Sequence, residues 1–194
     1  MAKFLITGGA GYVGSALARR LIERNYEITL IDNYYKPSNL TEVDGVPIKK
    51  QDIRDEADLS EYDVVFHLAA ITGIKECQEK EKLANEVNVE GTRNLLKRVR
   101  RNARVILASS SAVYGEAKSV AILEDHPTEP LGVYGHTKLL AEKMVVEHNN
   151  YCVLRFSNIF GHGLGHKRTV ADLFIEAALA KRPLTIHGDG PHRS

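Results

Sequence analysis

The sequence has few cysteines, no excess of either charge and no long hydrophobic run. Its 194 residues include two cysteines, Cys77 and Cys152, whose spacing fits no disulfide framework, and this scarcity is typical of a reducing compartment. With 26 basic and 25 acidic residues the net charge is +1, which gives no electrostatic reason to expect nucleic acid or an anionic membrane as a partner. No apolar run approaches the roughly 20 residues that span a bilayer, and one lysine followed directly by a strand is not a signal peptide. We therefore expect a soluble cytoplasmic protein.

Short apolar runs alternate with helical patterns along most of the chain. The apolar runs are rich in Val, Ile and Leu, as expected for strands buried on both faces. They predict strands at Phe4–Thr7, Ile28–Asp32, Val46–Lys49, Val64–His67, Val105–Ser109 and Cys152–Phe156. Apolar residues at helical spacing predict helices at Ser15–Arg24, Lys82–Arg100 and Tyr134–His148. This alternation predicts an α/β fold, a doubly wound parallel sheet with helices on both faces.

The last part of the chain has a different pattern. The glycine-rich loop Gly161–Gly165 precedes a predicted helix, Val170–Lys181, and a short predicted strand, Leu184–His187. The turn Gly188–Pro191 follows, close to the end of the sequence. We therefore expect one complete domain at residues 1–160 and, at 161–194, the start of a region that this chain does not complete.

Three glycines follow the first predicted strand. Gly8, Gly11 and Gly14 recur at every third position, between the strand and the first predicted helix. In a dinucleotide-binding turn the first glycine allows a sharp bend, the second a close approach of a diphosphate, and the third close packing of helix on sheet. The helix N-terminus then offers free N–H groups to the phosphates. The pattern predicts a Rossmann-like phosphate site, although a purely structural glycine turn is the alternative.

An acidic residue ends the second predicted strand. Asp32 lies 18 positions after Gly14, where a carboxylate can accept hydrogen bonds from the adenosine ribose and would repel a 2′-phosphate, so NAD is favoured over NADP. The alternative is a common strand-end turn at Asp32-Asn33. After the third strand, Asp52 and Ile53 could contact adenine, but Asp52 or Asp55 could instead cap the following turn.

Tyr134 and Lys138 are four residues apart and share one helix face. A neighbouring ammonium favours the phenolate of a tyrosine, whose ordinary pKa is about 10, and this arrangement predicts proton transfer with an alcohol. Ser109-Ser110-Ser111 ends a strand at the carboxyl edge of the sheet, where ligands bind in open parallel sheets. The alternatives are an ordinary surface Tyr and Lys, and serines that merely form a turn.

Seven motifs together resemble a known family. In order along the chain they are Thr7–Gly14, Asp52–Arg54, His67–Ala70, Asn88–Thr92, Ser109–Gly115, Tyr134–Lys138 and Leu154–Asn158. This set resembles the extended short-chain dehydrogenase/reductases that act on nucleotide sugars as epimerases and dehydratases, and most of all the UDP-glucose (UDP-galactose) 4-epimerases. The resemblance covers nearly the whole chain. It implies that residues 1–160 form an NAD-binding domain and that 161–194 begin a substrate-binding region.

The resemblance also implies a role for each matching residue. The implied cofactor contacts are Gly8, Gly11, Tyr12 and Val13 at the pyrophosphate, Asp32 and Asn33 at the ribose, Asp52 and Ile53 at adenine, Leu68, Ala69, Ala70 and Asn88 along the cofactor, and Tyr134 and Lys138 at the nicotinamide end. The implied catalytic residues are Ser110, Tyr134 and Lys138, and Ser110, Ser111, Tyr134 and Asn158 would contact the substrate.

The implied reaction is epimerisation at C4 of a UDP-hexose through a transient 4-keto sugar. Relatives that dehydrate the sugar carry acidic residues directly after the catalytic hydroxyl, where this chain has Ser111 and Ala112. The alternatives are an NAD-binding module without efficient catalysis, and a dehydrogenase or reductase that releases NADH. The resemblance further implies a homodimer. His162 and His166 have a spacing that a metal could use, but no third ligand is in view and we expect no metal site.

Overall fold

A computed structural model describes residues 2–116, 121–161 and 170–184. The chain forms two compact units, Met1–Ser157 and Asn158–Ser194. The second unit contributes one described helix, α6 (Val170–Leu179), where the sequence predicted Val170–Lys181. Most of the predicted loop Gly161–Gly165, most of the predicted strand Leu184–His187 and the turn Gly188–Pro191 lie outside the described residues.

The first unit is built on a sheet of seven strands in the order β3-β4-β2-β1-β5-β6-β7. In chain order the strands are β1 (Lys3–Thr7), β2 (Glu27–Asp32), β3 (Glu42–Val43), β4 (Val46–Lys50), β5 (Val64–His67), β6 (Arg104–Ser110) and β7 (Tyr151–Phe156). Neighbouring strands are parallel except β3 and β4. The six strands predicted at residues 1–160 are all present, and β1 and β5 lie side by side where the strand order reverses.

The helices differ more from the sequence-based expectation. They are α1 (Tyr12–Ile22), α2 (Ile74–Glu79), α3 (Glu81–Asn85), a π-helical segment (Glu86–Gly91), α4 (Thr92–Arg98), a 3₁₀ turn (Ser111–Val113) and α5 (Val133–Val145). The helix predicted at Lys82–Arg100 is present as one continuous helical stretch from Glu81 to Arg98, with the π-helical segment inside it. That segment brings Gly91 against Ile53, whose Cδ1 would lie 2.6 Å from a Cβ at position 91.

Two elements were not predicted. One is α2; the other is β3, which forms a hairpin with β4 through Asp44 and Gly45. Both turn residues have positive φ, 47° and 83°. An Asp-Gly pair is a strong hairpin signal, so the sequence did carry the information for this turn.

Apolar side chains cover both faces of the sheet. Leu5 and Ile6 are adjacent on β1 and fully buried, and their side chains point to opposite faces. Leu5 belongs to the cluster that includes Ala141 of α5, whereas Ile6 belongs to the cluster that includes Ala18 of α1. Helices therefore lie on both faces, which confirms the doubly wound, Rossmann-like fold. Among the residues the structure describes, no helix is long and apolar enough to cross a membrane.

Candidate functional site

The glycine turn after β1 has the geometry of a phosphate cradle. Gly8 has φ +76°, a conformation that side chains disfavour, and its carbonyl accepts a hydrogen bond from Gly11 N at 3.0 Å. A Cβ at Gly14 would lie 2.1 Å from the Gly8 carbonyl oxygen, so α1 can start this close to the strand only with glycine there. The first N–H groups of α1, including those of Tyr12 and Val13, have no intrahelical acceptor. These residues fit a diphosphate.

Asp32 ties the end of β2 to the glycine turn. Its Oδ2 accepts a hydrogen bond from Ala10 N at 3.1 Å, and its Oδ1 accepts one from Tyr34 N at 2.8 Å. The strand-end turn that was the alternative interpretation is therefore present. A carboxylate has about four acceptor positions. The turn therefore leaves capacity for ribose hydroxyls, and both interpretations fit the same side chain.

Asp52 forms a local turn and an ion pair. Its Oδ1 accepts a hydrogen bond from Arg54 N at 2.9 Å, while the Arg54 guanidinium lies 2.8 Å from Oδ2. Hydrogen bonds from Arg54 and from Asn33, the latter at 2.7 Å, hold the pKa of the Asp52 carboxyl well below its usual range. The capping alternative is therefore present here, with Asp55 accepting a hydrogen bond from Asp52 N. Contacts of Asp52 and Ile53 with adenine stay a prediction.

The loop after β5 runs beside the glycine turn. The Thr7 hydroxyl accepts hydrogen bonds from Leu68 N and Ala69 N, each at 3.1 Å, and this fixes the segment Leu68–Ala70. Asn88 is almost fully buried, and its amide bonds Ile71 N at 2.8 Å and Ile71 O at 3.0 Å. Its side chain therefore supports this loop from behind, and its contact with the cofactor stays a prediction.

Ser110 and Tyr134 meet at the carboxyl edge of the sheet. Ser110 ends β6, and its hydroxyl hydrogen-bonds the Tyr134 side chain in the first turn of α5, which lowers the pKa of the phenol. Burial has the larger effect and raises the Tyr134 pKa above its ordinary value of 10.0. These side chains alone therefore do not favour the phenolate, and the prediction that the Lys138 ammonium and a bound nicotinamide together favour it stays a prediction. Removing the phenolate from water destabilises it more than the hydrogen bond from Ser110 stabilises it.

Lys138 lies one turn beyond Tyr134 and is almost completely buried. Within residues 2–116, 121–161 and 170–184, no group forms a hydrogen bond or ion pair with its ammonium. Burial lowers its pKa from 10.5 to about 8, and the Glu142 carboxylate opposes that shift. Buried cations are nearly always paired. Among the described residues only Arg100 Nε is a buried side-chain nitrogen or oxygen atom without a partner, so the Lys138 Nζ keeps an accessible face, and polar cofactor groups could reach it there.

The three consecutive serines have three different environments. Ser109 is buried and donates a hydrogen bond to Glu142, Ser110 faces Tyr134, and Ser111 begins the 3₁₀ turn. The Glu142 carboxylate also pairs with Arg155, whose Nη2 lies 2.8 Å from its Oε2. This buried network was missed, although Glu142 follows Lys138 at helical spacing and Arg155 lies within a quoted motif.

The remaining residues considered at the sequence level, Asn158, His162 and His166, belong to the second unit. Asn158 is exposed at the start of the second unit, and its contact with substrate stays a prediction. His162 and His166 lie outside the described residues. In the part of the chain that the structure describes, no group of three His, Cys, Asp or Glu side chains could hold a metal ion.

Comparison with known proteins gives consistent similarities. A sequence profile of the NAD dependent epimerase/dehydratase family matches residues 4–193. The chain is 32% identical to a putative UDP-glucose 4-epimerase of Methanocaldococcus jannaschii, over 96% of this chain and 66% of that protein. It is 36% identical to a UDP-N-acetyl-alpha-D-glucosaminuronate decarboxylase of Bacillus cytotoxicus, over 96% of this chain and 64% of that protein.

Solved structures agree with these matches. The UDP-N-acetylglucosamine 4-epimerase from Methanobrevibacter ruminantium M1, in complex with UDP-N-acetylmuramic acid, is similar with a TM-score of 0.82 and 29% identity. The alignment covers 97% of this chain and 66% of that chain. This chain therefore spans about two thirds of the length of these three relatives.

Proposed function

Because the chain belongs to the NAD dependent epimerase/dehydratase family, whose cofactor is NAD, we propose that it inverts C4 of a nucleotide sugar of the UDP-galactose or UDP-glucose type. The reaction would pass through a transient 4-keto sugar. Support comes from two relatives that are described as 4-epimerases of UDP-sugars. Bound NAD would supply the hydride acceptor and donor that no side chain can supply.

The proposed cofactor site lies along the carboxyl edge of β1, β2 and β5. The pyrophosphate would be bound by Gly8 and Gly11, which have no side chains in its way. Tyr12 and Val13 would bind it through N–H groups that have no intrahelical acceptor. The other proposed contacts are Asp32 and Asn33 with the ribose, Asp52 and Ile53 with adenine, and Leu68, Ala69 and Ala70 with the middle of the cofactor. Asn88 would lie beside the cofactor and would also support the loop that contains Ile71.

Acid–base chemistry is assigned to Tyr134 and Ser110. Tyr134 Oη would take the proton of the C4 hydroxyl and later return it, while Ser110 would hold that hydroxyl by a hydrogen bond. The Lys138 ammonium would bind the nicotinamide ribose and favour the phenolate. The observation that carries this proposal is the Ser110–Tyr134 pair beside Lys138, whose side chain is almost completely buried and has no partner among the described residues.

Epimerisation is preferred over the other reactions of the family. A dehydration or decarboxylation adds a bond-breaking step to the oxidation at C4, and an elimination step needs a further acid or base. The residues after Ser110 are Ser111 and Ala112, and neither carries a carboxyl group. Ser111 would contact the sugar, and Asn158 a phosphate of the nucleotide.

The test is the substitution Tyr134→Phe, which removes one hydroxyl. The purified chain is incubated with UDP-galactose and NAD, and UDP-glucose is measured. We expect turnover to be abolished and NAD binding to be retained, because the ring still packs in place. Tyr151→Phe is the matched control, since Tyr151 is exposed on β7. Unchanged turnover in Tyr134→Phe would sink the assignment.

One observation favours a second candidate. Because the chain spans about two thirds of its relatives, it could act as an NAD-binding module without efficient turnover. NAD binding with no conversion of UDP-galactose would favour this module. Net accumulation of NADH during the same assay would instead identify a dehydrogenase, because an epimerase returns its hydride.

We also propose a cytoplasmic homodimer that pairs through α4 and α5. Leu140 and Val146 support this pairing, because they are large apolar side chains left exposed at 44% and 47% on and just after α5. Sedimentation of wild-type protein and of Leu140→Glu measures it: a dimer in the first and a monomer in the second is the expected result.

A further inference from the structure

Four side chains join the segment after β2 to α2, the helix that follows β5. The Tyr35 hydroxyl donates to Glu76 Oε1 at 2.8 Å, and Lys36 Nζ lies 2.6 Å from Glu76 Oε2. Lys80 Nζ donates to the Tyr35 hydroxyl at 3.0 Å. Both ammonium groups also lie 5.5 Å from the centre of the Tyr35 ring. We refer to Tyr35, Lys36, Glu76 and Lys80 as the latch.

The topology places this latch across the proposed cofactor cleft. In the sheet β2 and β5 flank β1, and the glycine turn emerges from the carboxyl end of β1 between them. Tyr35 comes three residues after the end of β2, and Glu76 lies in the helix that follows the loop of β5. The latch therefore connects the two chain segments that leave the sheet on either side of the glycine turn.

The backbone conformation after β2 orients the Tyr35 side chain toward Glu76. Asp32 Oδ1 accepts a hydrogen bond from Tyr34 N at 2.8 Å, and Asn33 Oδ1 accepts one from Tyr35 N at 2.9 Å. Tyr34 has φ +57°, which reverses the chain locally. As a result Tyr34 packs on the cluster beneath α1, whereas Tyr35 packs on the cluster of the opposite face. The proposed ribose-binding residues are thus the same residues that position the latch.

We infer that the latch holds the two walls of the cofactor cleft together and slows the release of NAD. Tyr35 and Glu76 are positioning residues in this inference, since they act on each other and not on the reacting atoms. With two lysines and one glutamate the latch carries a net positive charge, which also suits a cleft for a diphosphate. The Lys36 ammonium and the hydrogen bond from Tyr35 keep the pKa of Glu76 below its ordinary 4.5, so its carboxylate is ionised at neutral pH.

This inference rests on the cofactor half of the proposed function, and it can be tested without any sugar nucleotide. The full chain is loaded with NADH, and release is followed by nicotinamide fluorescence after excess NAD is added. Glu76→Gln removes the charge-assisted bonds, and we expect release about tenfold faster, the usual effect of losing one such bond. Tyr35→Phe should accelerate release less, and Lys36→Arg should retain the wild-type rate.

The control is Glu79→Gln on the same helix, because Glu79 is exposed and its ion pair among the described residues is with Lys75 at 3.7 Å. A positioning role predicts that Tyr35→Phe and Glu76→Gln are not additive, since they share one hydrogen bond. Because the same bonds are present without NADH, Glu76→Gln should also lose some stability there. The inference is overturned if Glu76→Gln releases NADH at the rate of Glu79→Gln. A protein that has no epimerase activity but releases NADH slowly would contradict the proposed reaction and leave the inference about the latch intact.

Discussion

Replacing Lys138 by Met should stabilise the folded protein while abolishing its cofactor function. The Lys138 side chain is 3% exposed, and no group among the described residues pairs with its ammonium. Met has a similar length and no charge, so it can fill the same space without the cost of removing an ammonium from water. Stability and function would then move in opposite directions at one position.

The pKa gives the size and the sign of the effect. Burial lowers the Lys138 pKa from 10.5 to about 8. A fall of that size corresponds to about 3 kcal/mol of unfavourable free energy in the folded state at neutral pH. Below pH 8 the lysine is charged in both folded and unfolded chains, so the full cost is present. Between pH 8 and 10.5 only the unfolded chain keeps the proton, so the wild-type protein gains stability as the pH rises.

The assay is denaturant unfolding of NAD-stripped protein at pH 7 and at pH 10. We expect Lys138→Met to be more stable than wild type by about 3 kcal/mol at pH 7, with most of this difference gone at pH 10. Lys143→Met is the matched control, because Lys143 is on the same helix but exposed, and it should leave stability nearly unchanged at both pH values.

The same variant should fail to bind NADH tightly, because the proposed ribose contact is lost. A variant that is no more stable than wild type at pH 7, with an unchanged denaturant slope, would refute the reasoning. It would mean that the ammonium is compensated in the folded state. Equal stabilisation at pH 7 and pH 10 would refute it too, because the gain would then come from packing and not from charge.

Two further variants test the rest of the site. Gly14→Ala should abolish NADH binding and destabilise the fold, because its Cβ would lie 2.1 Å from the Gly8 carbonyl; Gly132→Ala, with nothing within 4 Å, is the control in fluorescence titration and thermal unfolding. Glu142→Gln should cost about 3 kcal/mol in denaturant unfolding, since it leaves Arg155 without its buried carboxylate, whereas Glu147→Gln on the exposed surface should cost little. Wild-type behaviour of Gly14→Ala or Glu142→Gln would contradict the packing described here.

The strands and the glycine turn could be predicted because their signals are local. A run such as Val64–His67 is short and mostly apolar, and glycines at fixed spacing are required by the backbone itself. Ser110 was distinguished from its neighbours only through the resemblance, and the structure places it against Tyr134. The residues that the sequence identified are therefore those whose reason lies within a few positions of the chain.

The other features depend on contacts between distant segments. Glu142 lies on α5 and Arg155 on β7, and no local pattern in either segment indicates that the two side chains pair. The raised pKa of Tyr134 follows from how deeply α5 packs, which helical periodicity does not measure. Asn88 matched a family motif, but its role as a support for Ile71 required the fold to be known. The latch likewise joins residues that are 41 positions apart.

His67 shows how such contacts decide the chemistry of a residue that could have acted as a base. Thr7 Oγ1 already accepts a hydrogen bond from Ala69 N, so its own proton points to His67 Nδ1 at 2.9 Å. The imidazole proton must then be on Nε2, which donates to Thr92 Oγ1 at 2.9 Å, and Thr92 donates to the Asn88 carbonyl at 2.7 Å. A second proton on Nδ1 would face the Thr7 proton and break the chain of bonds. Burial, helped by the charge of Lys138, lowers the His67 pKa to about 3, so this histidine stays neutral and holds the Ala69 loop beside the glycine turn.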